Sequence, residues 1–319
     1  MPDVCFIGVD TSNYTTSLAA VDGEGRVLAN LKAPLPVKPG ERGLRQSDAV
    51  FAHVKNLPAL TDALRPYVEG KKLLAAGVSA KPRNEEGSYM PCFRVGVAAA
   101  YALAAWFSAP VLEFSHQSGH VMAAVVSADA PDSLFDRPFG AFHVSGGTTD
   151  LLYVTPTATD FLVERMGGSA DLHAGQAVDR IGVAMGLPFP CGPALERLAG
   201  TNTEAVPRPK IAVGDGVCHL SGLENMALDL YRNTQNAPLT AAFVLDFLAE
   251  TLSRMAAWAR EKHPGLPLVF AGGVMSNRRI AAALTAKLGE GTYFAEPAFC
   301  ADNAAGVAWL CRRQYFANQ

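Results

Sequence analysis

One pattern of apolar and polar positions occurs twice along the chain. Residues 6–21 and residues 142–154 each contain a short apolar run, a turn of small and polar residues with a Thr-Thr pair, and a second apolar run. Apolar runs on either side of such a turn predict a β-hairpin with a polar tip. The two hairpins lie about 135 residues apart, a period too long for a solenoid repeat. We therefore predict two related halves, each beginning with a hairpin.

The tips of these hairpins have the composition of a phosphate-binding turn. The first tip contains Asp10, Thr11 and Ser12, and the second contains Gly146 and Gly147. Small residues let the backbone approach an anion closely, and successive N–H groups with hydroxyls make a concave phosphate site. One such turn is commonly only a turn, but the matched pair predicts a phosphate bound between the two halves.

The remaining periodicity predicts helices at residues 51–65, 94–107, 171–185 and 240–262. The helix at 94–107 is apolar on nearly every side, which predicts that it is buried. A short apolar run at 268–270 leads directly into Gly272 and Gly273. A strand followed by two glycines and a helix favours nucleotide binding, because the ligand can lie against bare backbone at a helix N-terminus.

Composition is consistent with an α/β protein of two lobes. The chain has 319 residues, 49% hydrophobic and 18% charged, enough for a large core and for two domains of about 150 residues. Its six cysteines are scattered without a CxxC pair, which indicates a reducing compartment and argues against a disulfide framework or a thiolate zinc site. The predicted location is the cytoplasm.

The sequence indicates neither insertion into a membrane nor binding of nucleic acid by this chain alone. The N-terminus, which begins Met1-Pro2, lacks the basic and apolar segments of a secretory leader. The longest apolar run, residues 95–107, is shorter than the about 20 residues that a bilayer requires. A net charge of −3 permits a nucleic-acid substrate but does not indicate one.

Two histidines are candidate metal ligands. His116 and His120 are four residues apart, so on a helix they would lie on one face; the alternative is a pair of surface or capping histidines. A zinc peptidase of the HExxH type is excluded, because the residue after the first histidine is Gln117 rather than the required Glu. Asp302 could be a third ligand or merely the N-cap of the next helix. No spacing rule joins it to the histidines.

Eight motifs, in order along the chain, resemble the tRNA threonylcarbamoyladenosine transferases of the TsaD family, long described as O-sialoglycoprotein endopeptidases. They are Asp10-Thr11-Ser12, His116-Gln117-Ser118-Gly119-His120, Val144-Ser145-Gly146-Gly147, Ala174-Gly175-Gln176-Ala177-Val178-Asp179, Leu187-Pro188-Phe189-Pro190-Cys191-Gly192-Pro193, Ser221-Gly222-Leu223, Ala271-Gly272-Gly273-Val274-Met275-Ser276-Asn277 and Asp302-Asn303-Ala304-Ala305. An ordered set is far more specific than any one motif.

The resemblance implies a duplicated, two-lobed actin-like ATPase fold with an ATP- or AMP-type nucleotide in the cleft between the lobes. The predicted lobes are residues 1–132 and 133–319, with the last helix packing back on the first lobe. It also implies one ion on His116, His120 and Asp302, iron(II) in preference to zinc. The substrate and nucleotide site would comprise Val144, Ser145, Gly146, Gly147, Thr148, Asp179, Gly192 and Asn277.

The activity that the resemblance implies is transfer of a threonylcarbamoyl group. The donor would be threonylcarbamoyl-adenylate and the acceptor the exocyclic amine of the adenosine beside the tRNA anticodon. The metal would polarise a carbonyl or orient the threonyl carboxylate, and other proteins of a tRNA-modification complex would assist. Three site residues keep simpler interpretations: Asp179 as a surface residue of a helix, Gly192 as a turn residue and Asn277 as a helix cap.

Several residues depart from the family's pattern. Thr148 stands where a histidine is usual, and residues 81–92 replace a Gly-Pro-Gly turn with a bulkier, charged loop. The other departures are Leu172, Gln176, Cys191 and Glu224. They leave two further hypotheses open: a paralogous metal- and nucleotide-binding transferase or ATPase with another acceptor, and a non-catalytic partner of an active relative.

Overall fold

The computed structural model describes residues 3–36, 44–128 and 130–319. The prediction that there is no secretory leader concerns the N-terminus, whose first two residues, Met1 and Pro2, lie outside the described residues. The chain forms two compact units. Unit 1 comprises the described part of Met1–Val126 together with Pro156–Val163 and Ala301–Gln319, and unit 2 comprises the described part of Ser127–Thr155 together with Glu164–Cys300. The predicted lobe boundary at residue 132 stays a prediction.

Unit 1 is built on a five-stranded sheet in the order β3-β2-β1-β4-β5. Its strands are β1 (Val4–Thr11), β2 (Thr15–Asp22), β3 (Val27–Pro34), β4 (Lys72–Lys81) and β5 (Val111–Ser115). The first three are antiparallel, and β1, β4 and β5 are parallel. All residues of β1 and β2 after the first of each are buried, as expected of strands covered on both faces.

Three helices of unit 1 are α1 (Gln46–Val68), α2 (Phe93–Phe107) and α3 (His116–Ser127). The prediction that the second is buried was wrong. Phe93, Val97 and Ala100 are buried on one face, but Trp106 is 88% exposed and Phe107 is 59% exposed. A helix that lies on the outer face of a sheet can bury only one stripe, whatever the composition of its other side.

Unit 2 repeats the sheet of unit 1 and extends it. Its strands are β6 (Phe139–Val144), β7 (Thr149–Pro156), β8 (Phe161–Ser169), β9 (Val213–Gly214), β10 (Val217–Cys218), β11 (Leu268–Ala271) and β12 (Thr292–Phe294), in the order β12-β11-β6-β7-β8-β10-β9. An antiparallel hairpin, β6–β7, is flanked by the parallel strands β11 and β12, as β1–β2 is flanked by β4 and β5. This shared order confirms the duplication predicted from the two hairpins.

The helices of unit 2 are α4 (Ala174–Ala184), α5 (Gly192–Gly200), α6 (Ser221–Thr234), α7 (Ala237–Lys262), α8 (Arg278–Leu288) and the short α9 (Pro297–Cys300), with 3-10 turns at Asp132–Phe135 and Gly273–Ser276. The long helix α7 is the centre of the core, with both of its phenylalanines, Phe243 and Phe247, buried. It begins at Asn236, whose side chain accepts a hydrogen bond from the N–H of Leu239, as an N-cap does.

The helix predicted at 171–185 begins later, at Ala174, and the exposed Ala184 does not belong to its buried stripe. The carboxylate of Asp171 accepts hydrogen bonds from the N–H groups of Leu172 and Leu220 and from Ser221 Oγ. It therefore holds the first turn of α6 instead of continuing α4. These bonds outweigh the effect of burial, which by itself would raise the pKa, and hold the pKa of Asp171 well below its usual value.

The chain ends in α10 (Ala305–Ala317), a helix of unit 1 that packs on β1, β4 and β2. Of the helices described, none has both the length and the apolar character needed to cross a membrane. All six cysteines are buried free thiols.

His53 is a fully buried titratable group in unit 1. Its Nε2 lies 2.9 Å from the carbonyl oxygen of Ser12, and its Nδ1 lies 2.8 Å from Thr16 Oγ1. A carbonyl only accepts, so the proton is assigned to Nε2 and the neutral ring has both nitrogens paired. Burial lowers the pKa of His53, against smaller raising effects of the Ser12 bond and the Asp10 charge.

We predict that the free energy of unfolding falls as the pH drops below about 6.5, the ordinary pKa of histidine. In that range the unfolded chain binds a proton that buried His53 does not, so the folded state loses relative stability. Urea unfolding between about pH 7.5 and about pH 5.5 should show a shallower pH dependence for His53→Gln. His219, with a 58% exposed side chain, supplies the control His219→Gln. Equal slopes for the wild type and His53→Gln would contradict the assignment.

Candidate functional site

The two histidines of the HxxxH motif lie on the first two turns of α3. The sequence predicted that a helix would place them on one face, and their rings lie with centroids 4.4 Å apart. The Nε2 atoms of His116 and His120 are 3.0 Å apart. Both side chains are only partly exposed, 20% and 15%.

Asp302 lies near these histidines because the backbones of α3 and α10 are in direct contact where the two helices cross. A Cβ added to Gly306 of α10 would overlap the carbonyl oxygen of Gly119, which stands directly before His120 on α3. Only glycine at this crossing lets the two backbones touch. Asp302, just before α10, consequently has its Oδ1 3.2 Å from His120 Nε2 and 3.7 Å from His116 Nε2.

The three donor atoms fit a single divalent ion. An ion about 2.1 Å from each donor separates neighbouring octahedral ligands by about 3.0 Å and tetrahedral ligands by about 3.4 Å. The separations of 3.0 and 3.2 Å lie in that range, and the third, 3.7 Å between His116 Nε2 and Asp302 Oδ1, is slightly longer. Two imidazoles and one carboxylate are also a donor set typical of iron(II) and zinc. The residues present therefore fit the single divalent ion that the resemblance implies.

The alternative interpretation of Asp302 as a helix cap was wrong. The N-cap of α10 is Ala304, and the side chain that bonds to the start of the helix is that of Asn303, whose Oδ1 accepts from the N–H groups of Ala305 and Gly306 at 3.1 and 3.4 Å. The Asp302 carboxylate instead points to the histidines and accepts a hydrogen bond from Ser12 Oγ at 3.3 Å.

Asp10, assigned by sequence to a phosphate turn, is buried behind the histidines. Its Oδ2 lies 2.6 Å from His116 Nδ1 and accepts a 2.5 Å hydrogen bond from Ser79 Oγ. Burial by itself would raise the pKa of Asp10, but the charge of His116 and the bonds from His116 and Ser79 lower it. Burial would likewise lower the pKa of His116, but Asp10 raises it to about 9.

This arrangement is that of a carboxylate supporting a metal-binding histidine. With Nδ1 bound to Asp10, the lone pair of a neutral His116 is at Nε2, where the other donors converge. The other two phosphate-turn candidates are also buried: Thr11 Oγ1 donates to Cys92 O at 3.0 Å and accepts from Gly96 N. A phosphate contact by these three residues stays a prediction.

Unit 2 contains a separate cavity of about 400 Å³. Four of the predicted substrate or nucleotide residues line it, and they are Gly146, Asp179, Gly192 and Asn277. A Cβ on Gly146 or Gly192 would meet no atom within 4 Å, so a ligand can approach bare backbone at both positions. Leu245, Ile280 and Val178 supply an apolar wall, as is usual in small-molecule sites.

The polar side chains of this cavity are held by the helices around it. Asp179 Oδ1 accepts from the N–H of Cys191 at 2.8 Å, just before α5. Asn277 Oδ1 accepts from the N–H of Ile280 at 3.1 Å and caps α8. The cap interpretation of Asn277 is therefore confirmed, and its amide NH₂ remains as a donor in the cavity wall. Asp179 lies on α4 with its side chain partly exposed, so both its interpretation as a surface residue of a helix and its assignment to the site stay open.

The remaining residues predicted for the substrate and nucleotide site lie in the β6–β7 turn or at the end of β6 directly before it. Val144 is buried at the end of β6, and Ser145, Gly147 and Thr148 form the turn with Gly146. The N–H of Ser145 donates to Thr148 O at 2.8 Å, and Ser145 O accepts from the N–H of Gly175 at 3.1 Å. The turn is thus joined to the start of α4.

Sequence reasoning missed two side chains of these candidate sites, Ser79 and Glu196, and the position of Asp10 behind His116. Ser79 and the supporting role of Asp10 carry no sequence signal, because they depend on β4 lying beside β1. Glu196 lines the cavity and its Oε1 accepts from the N–H of Arg278 at 2.8 Å. A glutamate on the second turn of α5, close to the Pro-Cys-Gly-Pro turn, was the available signal.

The repeated strand order and the helices packed on both sheets define the class: an α/β protein of two lobes with the actin-like ATPase fold. Solved structures share it. HypF of T. kodakarensis matches with a TM-score of 0.60 at 12% identity, over 99% of this chain and 48% of that chain. A ROK family glucokinase from Streptomyces griseus, in complex with glucose and AMPPNP, matches with a TM-score of 0.51 at 15% identity, over 97% and 99%.

Sequence comparison identifies the family. The model of the TsaD family, tRNA N6-adenosine threonylcarbamoyltransferase, matches residues 47–309. The tRNA N6-adenosine threonylcarbamoyltransferase of Streptococcus suis is 30% identical over 332 residues, covering 99% of this chain and 94% of that protein. The chain belongs to the TsaD family of transferases, as the ordered motifs predicted.

We predict that Gly306→Ala abolishes tight metal binding. The new methyl group would overlap backbone rather than a movable side chain, so α3 and α10 must separate, at a cost of about 1–3 kcal/mol or more. Gly222→Ala is the matched control, because a Cβ there meets only Met226 Cε at 3.8 Å. Competition with a chromogenic chelator measures the affinity for cobalt(II) or zinc. A Gly306→Ala protein with wild-type affinity would show that the crossing does not position Asp302.

We predict that Asp10→Asn weakens metal binding by about 10–100-fold, the usual effect of removing a carboxylate behind a metal-binding histidine. The amide is similar in size but carries no charge and can impose the wrong tautomer on His116. The same chelator competition applies. Asp22→Asn, which changes another buried aspartate of the β1–β2 hairpin, should keep wild-type affinity; an equal loss in both variants would refute the supporting role.

Proposed function

We propose that this chain transfers a threonylcarbamoyl group to the exocyclic amine of the adenosine next to the anticodon of a tRNA. The observation that carries the proposal is the family match over nearly the whole chain, together with the convergence of His116, His120 and Asp302. The donor would be threonylcarbamoyl-adenylate. The reaction would take place in the cytoplasm, with other proteins of a tRNA-modification complex supplying the adenylate and part of the RNA-binding surface.

The proposed step is an acyl transfer. The amine nitrogen of the adenosine attacks the carbamoyl carbon, the bond from that carbon to the phosphate oxygen breaks, and AMP leaves while the amine loses a proton to solvent. A divalent ion on the three donors, iron(II) in preference to zinc, would polarise the carbonyl or orient the threonyl carboxylate.

The residues of the chain have distinct roles in this proposal. His116, oriented by Asp10, would hold the ion with His120 and Asp302. In unit 2 the bare backbone of Gly146 and Gly192 would receive the nucleotide, with Val144, Ser145, Gly147 and Thr148 forming the turn beside it. Asp179 and Asn277 would contact the ribose and base. No side-chain nucleophile is required, since the adenylate is already activated.

A second candidate is a paralogous transferase or ATPase that keeps the ion and the nucleotide but uses another acceptor. The observations that favour it are the loop at residues 81–92, which is hydrogen-bonded to α3, and Thr148 in place of histidine. A non-catalytic partner role is disfavoured by the converged donors, since a scaffold has no use for a metal site.

The function is tested by supplying the purified, metal-loaded protein with radiolabelled threonylcarbamoyl-adenylate and a tRNA transcript. We expect label in the RNA, and none when the target adenosine is replaced by inosine, which has no amine at that carbon. His120→Ala should retain the fold and lose transfer. Consumption of adenylate with AMP release but no labelled tRNA, in the presence of the partner proteins, would favour the second candidate and contradict the first.

A further inference from the structure

The loop at residues 81–92, here called the Lys81–Cys92 loop, is the segment in which this chain departs most from its family's motifs. It connects β4 to α2 in unit 1. Its position relative to the metal donors is fixed by hydrogen bonds at both ends.

The start of the loop is attached to the helix that carries the histidines. Lys81 pairs with Ser115 across β4 and β5, directly before His116. The carbonyl oxygen of Pro82 accepts from the N–H of Gln117 at 3.0 Å, and Asn84 Nδ2 donates to Ser118 Oγ at 3.1 Å. The loop therefore begins against the first turn of α3.

The end of the loop is attached to the strand that carries Asp10. Cys92 is buried, and its carbonyl oxygen accepts from Thr11 Oγ1 at 3.0 Å. Within the loop, the N–H of Arg83 donates to Ser88 Oγ at 2.9 Å. Both ends and the segment from Arg83 to Ser88 are thus held by hydrogen bonds, and the loop is anchored on the helix that carries the histidines and the strand that carries Asp10.

The exposed middle of the loop carries one aromatic ring and one guanidinium. Tyr89 is 63% exposed, and the Arg83 side chain is 52% exposed. The Arg83 guanidinium is 3.9 Å from the Glu85 carboxylate. An exposed ion pair at this separation contributes little stabilising free energy. Two glutamates, Glu85 and Glu86, balance Lys81 and Arg83, so the loop as a whole does not attract phosphate strongly.

A neutral loop with an exposed aromatic ring suits an unpaired base better than a duplex backbone. Duplex binding depends on a concentration of positive charge. Unpaired bases of RNA loops, in contrast, are held by stacking on aromatic side chains, with arginine adding a phosphate or base-edge contact.

We infer that Tyr89 and Arg83 are the specificity element for the RNA acceptor: Tyr89 stacks on an unpaired base of the anticodon loop, and Arg83 contacts the phosphate beside it. The inference rests on the proposed function and adds to it the side chains of this chain that select the acceptor. In this role neither residue takes part in the group transfer.

The test measures binding of a fluorescent anticodon stem-loop RNA to the metal-loaded protein by anisotropy. Tyr89→Ala should weaken binding by about 5-fold to about 150-fold, the usual effect of losing one stacked base, whereas Tyr89→Phe should retain it. Tyr67→Ala, at a tyrosine of α1 that is 47% exposed, is the matched control and should bind as the wild type does. Blunt duplex RNA should not distinguish Tyr89→Ala from the wild type.

A salt titration tests Arg83. Arg83→Gln should reduce the slope of log affinity against log salt concentration by about 1, as expected for one lost phosphate contact. Arg65→Gln, at an exposed arginine that is paired with Asp62 on α1, should leave the slope unchanged.

Chelator competition on the same variants should give wild-type metal affinity; a loss there would assign the loop a structural role and overturn the inference. Wild-type transfer and wild-type RNA affinity in Tyr89→Ala would overturn the inference and leave the proposed function intact. A wild-type protein that neither binds the stem-loop nor modifies tRNA would overturn both.

Discussion

The contact between the backbones of α3 and α10 at Gly119 and Gly306 brings the three candidate metal donors together. The two glycines belong to helices that are far apart in sequence. A Cβ on Gly306 would overlap the carbonyl oxygen of Gly119, and a Cβ on Gly119 would lie 3.0 Å from Val307 Cγ2. Their contact places the residue four positions before Gly306, Asp302, opposite the two histidines that flank Gly119. If the two helices crossed at a greater distance, the histidines would still lie about a turn apart on α3. No carboxylate would then lie opposite them.

The two hairpins show how one motif acquires two uses. In the second, the glycine tip has open space above Gly146 and Gly147, so the backbone stays available to a ligand. In the first, the tip residues Asp10 and Thr11 are buried, and Asp10 supports His116. The difference follows from packing: Thr11 bonds to the Cys92 carbonyl and the Gly96 N–H at the start of α2, whereas Gly175, at the start of α4, touches the second tip only from behind.

Two departures from the family pattern are absorbed by local structure. Cys191 is buried against Gly182, where a Cβ would overlap it, so a packing contact accounts for the added thiol. Glu224 forms a salt bridge with Arg180 at 3.1 Å, which neutralises the charge introduced there. Neither change touches the converged donors. The Lys81–Cys92 loop differs from both, because its side chains Tyr89 and Arg83 are exposed.

The sequence by itself determined the class of fold and most of the candidate residues. Local patterns indicated both hairpins, the helical HxxxH and the helix that Asn277 caps, since each depends on neighbours within a few positions. Ordered motifs indicated the family. The family resemblance implied that Asp302 joins the histidines, and the tertiary structure showed which contact brings it there. Tertiary structure alone decided that Asp10 lies behind His116 and that one side of α2 is exposed. Those outcomes depend on which backbones touch across long sequence separations, and an apolar or polar pattern along one segment contains no information about its distant neighbours.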